Sequence, residues 1–194
     1  VYASAVGNPN CNDEISFTFT VHPLLDITIA GGIICVDSET GDVLRTFTMR
    51  SGLNPIFFTV NWYLNGTLMG TGPNYTASQA GVYTVEFIKL TPDVGTNCDY
   101  NTTTVTIVQS GPAVADFTVS TPFENNTFIT VDLTGGYGDY LYQLVYPNGN
   151  VTEYQSSNVF SNLPTGEYYI NIYDILGGCS PTRLGPIYII NYPN

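Results

Sequence analysis

The stretch Ala80-Gly81-Val82-Tyr83-Thr84-Val85 is the most informative part of the sequence. A similar stretch, Thr165-Gly166-Glu167-Tyr168-Tyr169-Ile170, occurs later in the chain. The glycines of the two copies are 85 positions apart, and the copies are followed by Cys98 and Cys179. Self-similarity at a fixed spacing is the mark of a repeated structural unit. After each glycine, apolar and polar residues alternate, which indicates a strand with one buried face. The sequence therefore predicts copies of one β-rich module.

The rest of the chain carries the same strand pattern and no helical one. Alternation runs through residues 15–21, 104–108 and 128–133, and no window places apolar residues at the helical spacing of i, i+3, i+4 and i+7. Asn65-Gly66 lies between two apolar runs, and this dipeptide favours a type I′ hairpin because both of its residues tolerate a positive φ. The fold class is predicted to be all-β, with antiparallel sheets packed as sandwiches.

The charge composition limits the possible partners. The 194 residues carry four Lys and Arg against 16 Asp and Glu, a net charge of −12, and only 10% of the residues are charged. Binding to nucleic acid needs clustered Lys and Arg that neutralise phosphates, and an anionic lipid surface needs the same. The apolar runs are also too short to cross a bilayer. We therefore expect no nucleic acid partner and no insertion into a membrane.

The repeat divides the chain into modules. Residues 24–111 and 112–194 are predicted to be two complete β-sandwiches, because the strand pattern restarts after each terminal strand. Residues 1–23 resemble the last part of the same unit and are interpreted as the C-terminal strands of a truncated preceding module. The boundary at Gly111-Pro112 is short, which favours modules that abut stiffly in a rod-like array over modules on a flexible tether.

The cysteine spacing predicts the type of sandwich. The only tryptophan, Trp62, lies between Cys35 and Cys98. In an immunoglobulin-like (Ig-like) sandwich, a tryptophan of the third strand packs on a disulfide that joins the two sheets. We therefore predict tandem Ig-like modules, a Cys35–Cys98 disulfide and Trp62 in the core. Tyr83 and Tyr168 follow a glycine turn and are predicted core residues as well, since a tyrosine corner there ties a loop to a strand.

The other two cysteines have no predicted partner in the chain. Cys11 and Cys179 occupy the position of Cys98 in their modules. The equivalent of Cys35 falls in a missing part of the first module and near Asn125 in the last. Both cysteines are expected to be unpaired or bonded outside the chain. Disulfides of this kind predict an extracellular, oxidising location; four reduced, buried thiols are the alternative.

Residues for catalysis are scarce, whereas one loop has the ligands for calcium. His22 is the only histidine, and the sequence holds neither a Gly-x-Ser-x-Gly motif nor a phosphate-binding glycine loop. We expect no enzymatic activity, no catalytic residue and no cofactor other than a possible calcium ion. Asp37, Glu39 and Asp42 bring three carboxylates into six residues, and hard oxygen ligands suit Ca²⁺. The same segment fits a hairpin turn equally well.

Several blocks of the second module resemble a known repeat. They are Thr134-Gly135-Gly136-Tyr137-Gly138-Asp139-Tyr140-Leu141-Tyr142, Asn162-Leu163-Pro164-Thr165-Gly166-Glu167-Tyr168, and Tyr173-Asp174 with Gly177-Gly178-Cys179. These blocks resemble the SprB-type repeat of Bacteroidetes gliding-motility adhesins and related giant surface proteins. The first module, with Trp62-Tyr63-Leu64-Asn65-Gly66, is similar to the Ig-like or PKD-like modules that precede such repeats.

The last residues add a second resemblance. Residues 189–194 look like the lead-in to the type B sorting domain of the type IX secretion system. The resemblance implies export by that system, a place on the outer-membrane exterior, and contact with the secretion or surface-anchoring machinery.

These observations lead to one preferred function and two alternatives. We expect a non-enzymatic stalk segment of a large secreted cell-surface adhesin, associated with gliding motility. It would link a distal adhesive region to a C-terminal sorting or anchoring domain, with neighbouring modules of the same chain as partners. The first alternative is a carbohydrate-binding region of a secreted polysaccharide-degrading enzyme, in which some of the 15 Tyr and 10 Phe stack on surface glycans. The second is a filament subunit assembled by strand pairing between chains.

Overall fold

The structure is a computed structural model that describes residues 2–4, 12–14, 18, 26–91, 99–122 and 126–190. These residues form sixteen strands and no helix, so none of them belongs to a helix that could cross a bilayer. The strands are β1 Tyr2–Ser4, β2 Asn12–Glu14, β3 Gly32–Val36, β4 Val43–Arg45, β5 Phe47–Arg50, β6 Phe58–Leu64, β7 Thr67–Thr71, β8 Asn74–Ala77, β9 Gly81–Lys89, β10 Tyr100–Ser110, β11 Val114–Val119, β12 Phe128–Gly135, β13 Tyr140–Val145, β14 Val159–Ser161, β15 Gly166–Asp174 and β16 Thr182–Ile189.

The N-terminal segment contributes one small antiparallel pair. β1 and β2 pair with Tyr2 opposite Glu14. The rest of the predicted module remnant at 1–23, apart from Thr18, lies outside the described residues, as do Cys11 and His22.

The first sandwich is built from β3 to β10. Its large sheet has the strand order β4-β3-β10-β9-β6-β7, and β5 pairs with β8 in a small second sheet. Within the large sheet β3 runs parallel to β10, and the other neighbours are antiparallel. Met49 of β5 and Ala77 of β8 are fully buried in one cluster with Trp62, Tyr83 and Phe87 of the large sheet, so the core lies between the sheets.

The second sandwich repeats this plan with β11 to β16. One sheet has the order β11-β12-β14 and the other β13-β15-β16. Ile129 and Val131 from the first sheet are buried in one cluster with Tyr168, Ile170 and Ile187 from the second. In the first sandwich β6, β9 and β10 share a sheet and β5 lies in the opposite one; in the second, β13, β15 and β16 share a sheet and β12 lies in the opposite one. This is the arrangement of strands C, F, G and B in an Ig-like sandwich. The predicted fold class, all-β with Ig-like sandwiches in tandem, is confirmed.

Local sequence explains the strands and turns that shape each module. Side chains along β9 and β15 alternate between buried and accessible, as a strand with one core face requires. Asn65 and Gly66 have φ of 50° and 77°, which confirms the predicted hairpin between β6 and β7. The Tyr83 hydroxyl donates to the Gln79 carbonyl at 2.9 Å, and the Tyr168 hydroxyl to the Pro164 carbonyl at 2.8 Å. Both modules therefore contain the same tyrosine corner.

Candidate functional site at the module junction

Three strands of the first module present neighbouring residues where the chain passes into the second module. Cys35 of β3 is paired with Ser110 of β10 on one side and with Arg45 of β4 on the other. Ser110 is the last residue of β10, and only residues 111–113 separate it from β11. This corner of the large sheet therefore lies against the next module.

A loop of the second module lies on these three residues. It joins β15 to β16 and contains Cys179, whose sulfur forms a disulfide with Cys35, with the two Cα atoms 5.2 Å apart. The Ser110 hydroxyl donates a hydrogen bond to the carboxylate of Asp174, the last residue of β15. Nη2 of Arg45 donates to the Gly177 carbonyl at 2.7 Å. Each of the three neighbours in the first module is thus joined to the same loop.

The disulfide corrects the predicted cysteine pairing. Because the sulfur of Cys35 is bonded to Cys179, the predicted Cys35–Cys98 disulfide is wrong, and so is the expectation that Cys179 has no partner in this chain. The reason is the strand on which Cys35 lies. A disulfide between the sheets of an Ig-like module joins strands B and F, which correspond here to β5 and β9, whereas Cys35 belongs to β3, which lies beside β10 at the junction. Cys98 itself is outside the described residues.

The predicted core residues are fully buried. Trp62, Tyr83 and Tyr168 each have 0% of their surface exposed. The Trp62 ring stacks on Tyr75 with centroids 6.1 Å apart, and its Nε1 donates to the Gly72 carbonyl at 2.8 Å. Among the described residues, the tryptophan packs on aromatic and aliphatic side chains and not on a disulfide.

Asp174 holds the loop in shape and connects it to β10. The side chain is 2% exposed. Its Oδ2 accepts from the Ser110 hydroxyl and from the backbone N–H groups of Gly178, at 2.9 Å, and Cys179, at 3.4 Å. Its Oδ1 accepts from the N–H of Leu176 at 3.0 Å. Hydrogen bonds to a carboxylate are stronger than those between neutral groups, so one side chain fixes both the loop and its contact.

The loop and the linker pack tightly against the first module. A Cβ atom on Gly178 would lie 2.6 Å from Cγ2 of Ile33 and 2.7 Å from Cβ of Ser110, so only glycine fits at this approach. The Tyr140 hydroxyl donates to the carbonyl of the linker residue Gly111 at 2.9 Å. Burial raises the pKa of Tyr140, and the nearby charge of Asp174 raises it further.

The loop predicted as a calcium candidate is the turn of a hairpin at this junction. Oδ1 of Asp37 accepts from the N–H groups of Glu39, at 2.8 Å, and Thr40, at 3.0 Å, and these bonds lower the pKa of Asp37. Asp42 accepts from the Thr40 hydroxyl at 3.0 Å. In the described part of the chain, no group of three His, Cys, Asp or Glu side chains is arranged to hold a metal ion. Asp37, Glu39 and Asp42 instead close the β3–β4 hairpin that carries Arg45.

An open cleft lies beside the disulfide. Its volume is about 390 Å³, and Leu44, Arg45, Pro112 and Pro181 are among the residues that line it. The junction as a whole combines one covalent bond with a set of hydrogen bonds between the two modules and their linker.

The sequence prediction missed three residues of this site, namely Arg45, Ser110 and Asp174. The signal for Asp174 was present, because Tyr173-Asp174 and Gly177-Gly178-Cys179 form one of the blocks that resemble a known repeat. The structure gives that block a physical reason, since the aspartate caps the loop that carries the cysteine.

Comparison with known proteins finds solved structures that are similar to this chain at low sequence identity. No protein-family model and no curated protein matches the sequence. Bovine butyrophilin is similar over 83% of this chain and 97% of its own, at 10% identity and a TM-score of 0.49. The three N-terminal domains of the bacteriophage RB49 Highly Immunogenic Outer Capsid protein are similar over 83% of this chain and 65% of that one, at 13% identity and a TM-score of 0.48. An I-band fragment of titin is similar over 81% of this chain and 62% of its own, at 13% identity and a TM-score of 0.46.

Proposed function

We propose that this chain is a force-bearing, non-enzymatic stalk segment of a large secreted cell-surface adhesin. The observation that carries the proposal is the Cys35–Cys179 disulfide, which joins two successive Ig-like modules. In this proposal the bridge is the mechanical element of the segment.

The position of the bridge determines which part of the chain bears tension. A pulling force applied before Cys35 and after Cys179 runs through the disulfide and bypasses the 143 residues 36–178. Of the buried residues in the two cores, only Ile29, Ile34, Ile187 and Ile189 lie outside that range. Residues 36–178 are therefore shielded from extension as long as the bridge is intact, a property that suits a stalk under load, whereas β16 and the part of β3 before Cys35 lie on the loaded path.

The noncovalent contacts of the junction support the same role. The disulfide and the linker at residues 111–113 alone would leave the two modules free to hinge about the line that joins these two connections. The Ser110–Asp174 and Arg45–Gly177 hydrogen bonds lie on the two sides of Cys35, and the Tyr140–Gly111 bond holds the linker. Several contacts at separate points resist rotation, so the junction favours a stiff pair of modules.

The disulfide and the sequence resemblance support the proposed location. Disulfides persist in oxidising compartments, which fits an extracellular protein. The resemblance to SprB-type repeats supports a place on the cell surface, export by the type IX secretion system, and a role in gliding. In this reading the stalk holds a distal adhesive region away from the cell and connects it to a sorting or anchoring domain.

The repeat extends the proposal to a longer array. Cys98 lies between β9 and β10 in the sequence, as Cys179 lies between β15 and β16. A preceding module with a cysteine at the position of Cys35 would therefore be tied to Cys98 in the same way.

Single-molecule stretching of the chain between two rigid handles tests this function. For the oxidised protein we expect no lengthening from residues 36–178, so that only residues outside the bridge, which include β16, can extend. Reduction should allow the segment between the two cysteines to extend. The cysteines are 144 positions apart, which corresponds to about 500 Å of extended chain.

The matched control is the double variant Cys35→Ser/Cys179→Ser without reductant. It should lengthen as the reduced protein does. Release of the full length from the oxidised wild-type chain would overturn the proposal.

A further inference from the structure

A second polar site lies at the other end of β15 from the junction. A cleft of about 300 Å³ opens there, on the outward face of the sheet formed by β13, β15 and β16. Its lining combines aromatic, proline and charged side chains: Val145, Tyr146, Pro147, Glu167, Tyr169 and Arg183. The stalk function makes no use of these residues.

Three of these side chains form an ordered group. The guanidinium carbon of Arg183 lies 4.1 Å from the centre of the Tyr169 ring, which is a cation–π contact. The Tyr169 hydroxyl donates to Oε1 of Glu167 at 2.7 Å. The arginine and the glutamate are thus held on the same tyrosine, at one wall of the cleft.

The hydrogen-bonding capacity of this group is only partly used. Among the described residues, the guanidinium of Arg183 donates no hydrogen bond, and Oε2 of Glu167 accepts none. Arg183 has five N–H donors in a planar fork, and a carboxylate oxygen accepts two hydrogen bonds. Donors and an acceptor are therefore available side by side to a ligand in the cleft.

The turn at residues 146–150 forms another part of the lining and is held in shape without a ligand. The N–H of Tyr146 donates to the Asn150 carbonyl at 2.8 Å, and the N–H of Gly149 donates to the Tyr146 carbonyl at 2.9 Å. The Tyr146 ring packs edge-on against the buried ring of Tyr168, with centroids 6.0 Å apart. Pro147 packs so closely on Gly166 that a Cβ atom there would lie 2.5 Å from its Cγ. A wall fixed in this way loses little entropy when a ligand binds.

We infer that this cleft binds one residue of a neutral glycan. Sugar hydroxyls both donate and accept hydrogen bonds, which matches the free donors of Arg183 and the free oxygen of Glu167. The apolar C–H face of a sugar ring fits against the apolar side chains of Val145 and Pro147 in the lining of the cleft.

The charges at the site favour a neutral ligand over an anionic one. Arg183 and Glu167 cancel each other's charge within the cleft, and the chain as a whole carries a net charge of −12. An acidic sugar or peptide that paired with Arg183 would be repelled by Glu167, whereas a neutral sugar would meet no repulsion.

An NMR titration tests the inference. The ¹⁵N-labelled chain is titrated with methyl glucoside, methyl galactoside and methyl mannoside to about 50 mM, well above the dissociation constant of about 1 mM typical of so small a ligand. At least one neutral glycoside should shift the amide signals of Glu167, Tyr169 and Arg183. Glucuronate, the anionic probe, should shift them less.

Variants show whether the named side chains are responsible. Arg183→Gln and Glu167→Gln should each weaken binding at least about tenfold, since each removes hydrogen bonds to a charged group. The matched control is Arg50→Gln, at the exposed Arg50 of β5 in the first module, which should bind as the wild type does.

Three results would overturn the inference: no shift with any neutral glycoside, stronger binding of glucuronate, or unchanged binding by both cleft variants. The stretching experiment does not involve this cleft, so failure here leaves the proposed stalk function standing.

Discussion

Asp174 is the residue on which the junction depends most, because its carboxylate accepts hydrogen bonds from both modules. We expect Asp174→Ala to lower the free energy of unfolding by about 3 kcal/mol, since the Gly178 N–H and the Ser110 hydroxyl lose their partner in a buried place. Urea unfolding followed by the fluorescence of Trp62 measures this change.

A second polar residue at the same junction provides the control for Asp174. Ser38 lies against Gly135 of the second module, and its Oγ is a buried polar atom without a hydrogen-bond partner among the described residues. Ser38→Ala removes a buried hydroxyl that makes no bond, so it should leave the free energy of unfolding unchanged or raise it. Equal effects of Ser38→Ala and Asp174→Ala would contradict the role given to the carboxylate.

Buried tyrosines make the fold sensitive to alkali. Burial raises the pKa of Tyr83, Tyr140 and Tyr168 above the value of 10.0 that an exposed tyrosine has. Their contribution to stability is therefore complete below pH 10 and is lost as the pH rises above it, because the unfolded chain ionises first. Unfolding at a series of pH values, with tyrosinate absorbance as a second signal, should show this loss.

Removal of one corner hydroxyl separates the two contributions of Tyr83. Tyr83→Phe should lower stability at pH 7 by about 1 kcal/mol, because the bond to the Gln79 carbonyl is lost, and should also lessen the alkaline loss. Tyr100→Phe, at a half-exposed tyrosine of β10, should leave stability at pH 7 unchanged. An alkaline profile that Tyr83→Phe leaves unchanged would count against this explanation.

Among the elements, the β3–β4 hairpin contains the segment that the sequence offered as a calcium site and that the structure shows as a closed turn. Its turn is closed by hydrogen bonds to Asp37 and Asp42 from within the segment, so we expect it to need no calcium. About 10 mM CaCl₂ should leave Tm unchanged relative to EDTA, because only a bound ion stabilises the folded state by mass action. A clear rise in Tm with calcium that is absent in the Asp37→Asn variant would contradict this expectation and support a calcium site in the turn.

Other elements differ in how well local sequence predicts them. The β6–β7 hairpin was predictable because Asn65-Gly66 suits the positive φ of its turn. β4 was not, because its three residues are all exposed and show no alternation of buried and accessible positions. This edge strand owes its place to pairing with β3, and it matters because it brings Arg45 to the second module.

For the whole molecule, the disulfide should couple the stability of the two modules. It closes a loop of 144 positions, which the chain-entropy model values at about 5 kcal/mol. We expect Cys35→Ala/Cys179→Ala to lower stability by up to this amount and to separate one unfolding transition into two. Calorimetry of the oxidised wild type and the variant measures both effects.

Peptide mapping without reduction gives the covalent control. It should yield a linked pair of peptides that contain Cys35 and Cys179. A Cys35–Cys98 pair in its place would return the molecule to the pairing predicted from the sequence and remove the basis of the proposed stalk mechanics.

Alternation and turn dipeptides predict most of the strands and both cores from the sequence, because these signals act within one module, and the 85-residue repeat marks the two modules. The Ig-like class was predicted from the Cys35-Trp62-Cys98 spacing and is confirmed, although the disulfide expected with it is wrong. Trp62, Tyr83 and Tyr168 are core residues as predicted, the two tyrosines from the glycine turn that precedes each of them. The partner of Cys35 depends on the tertiary structure, since comparison of repeats aligns equivalent positions and says nothing about which loop of one module lies on which strand of the next. That contact arises where β10 ends and β15 turns, and it brings together residues far apart in the chain, Ser110 with Asp174 and Cys35 with Cys179.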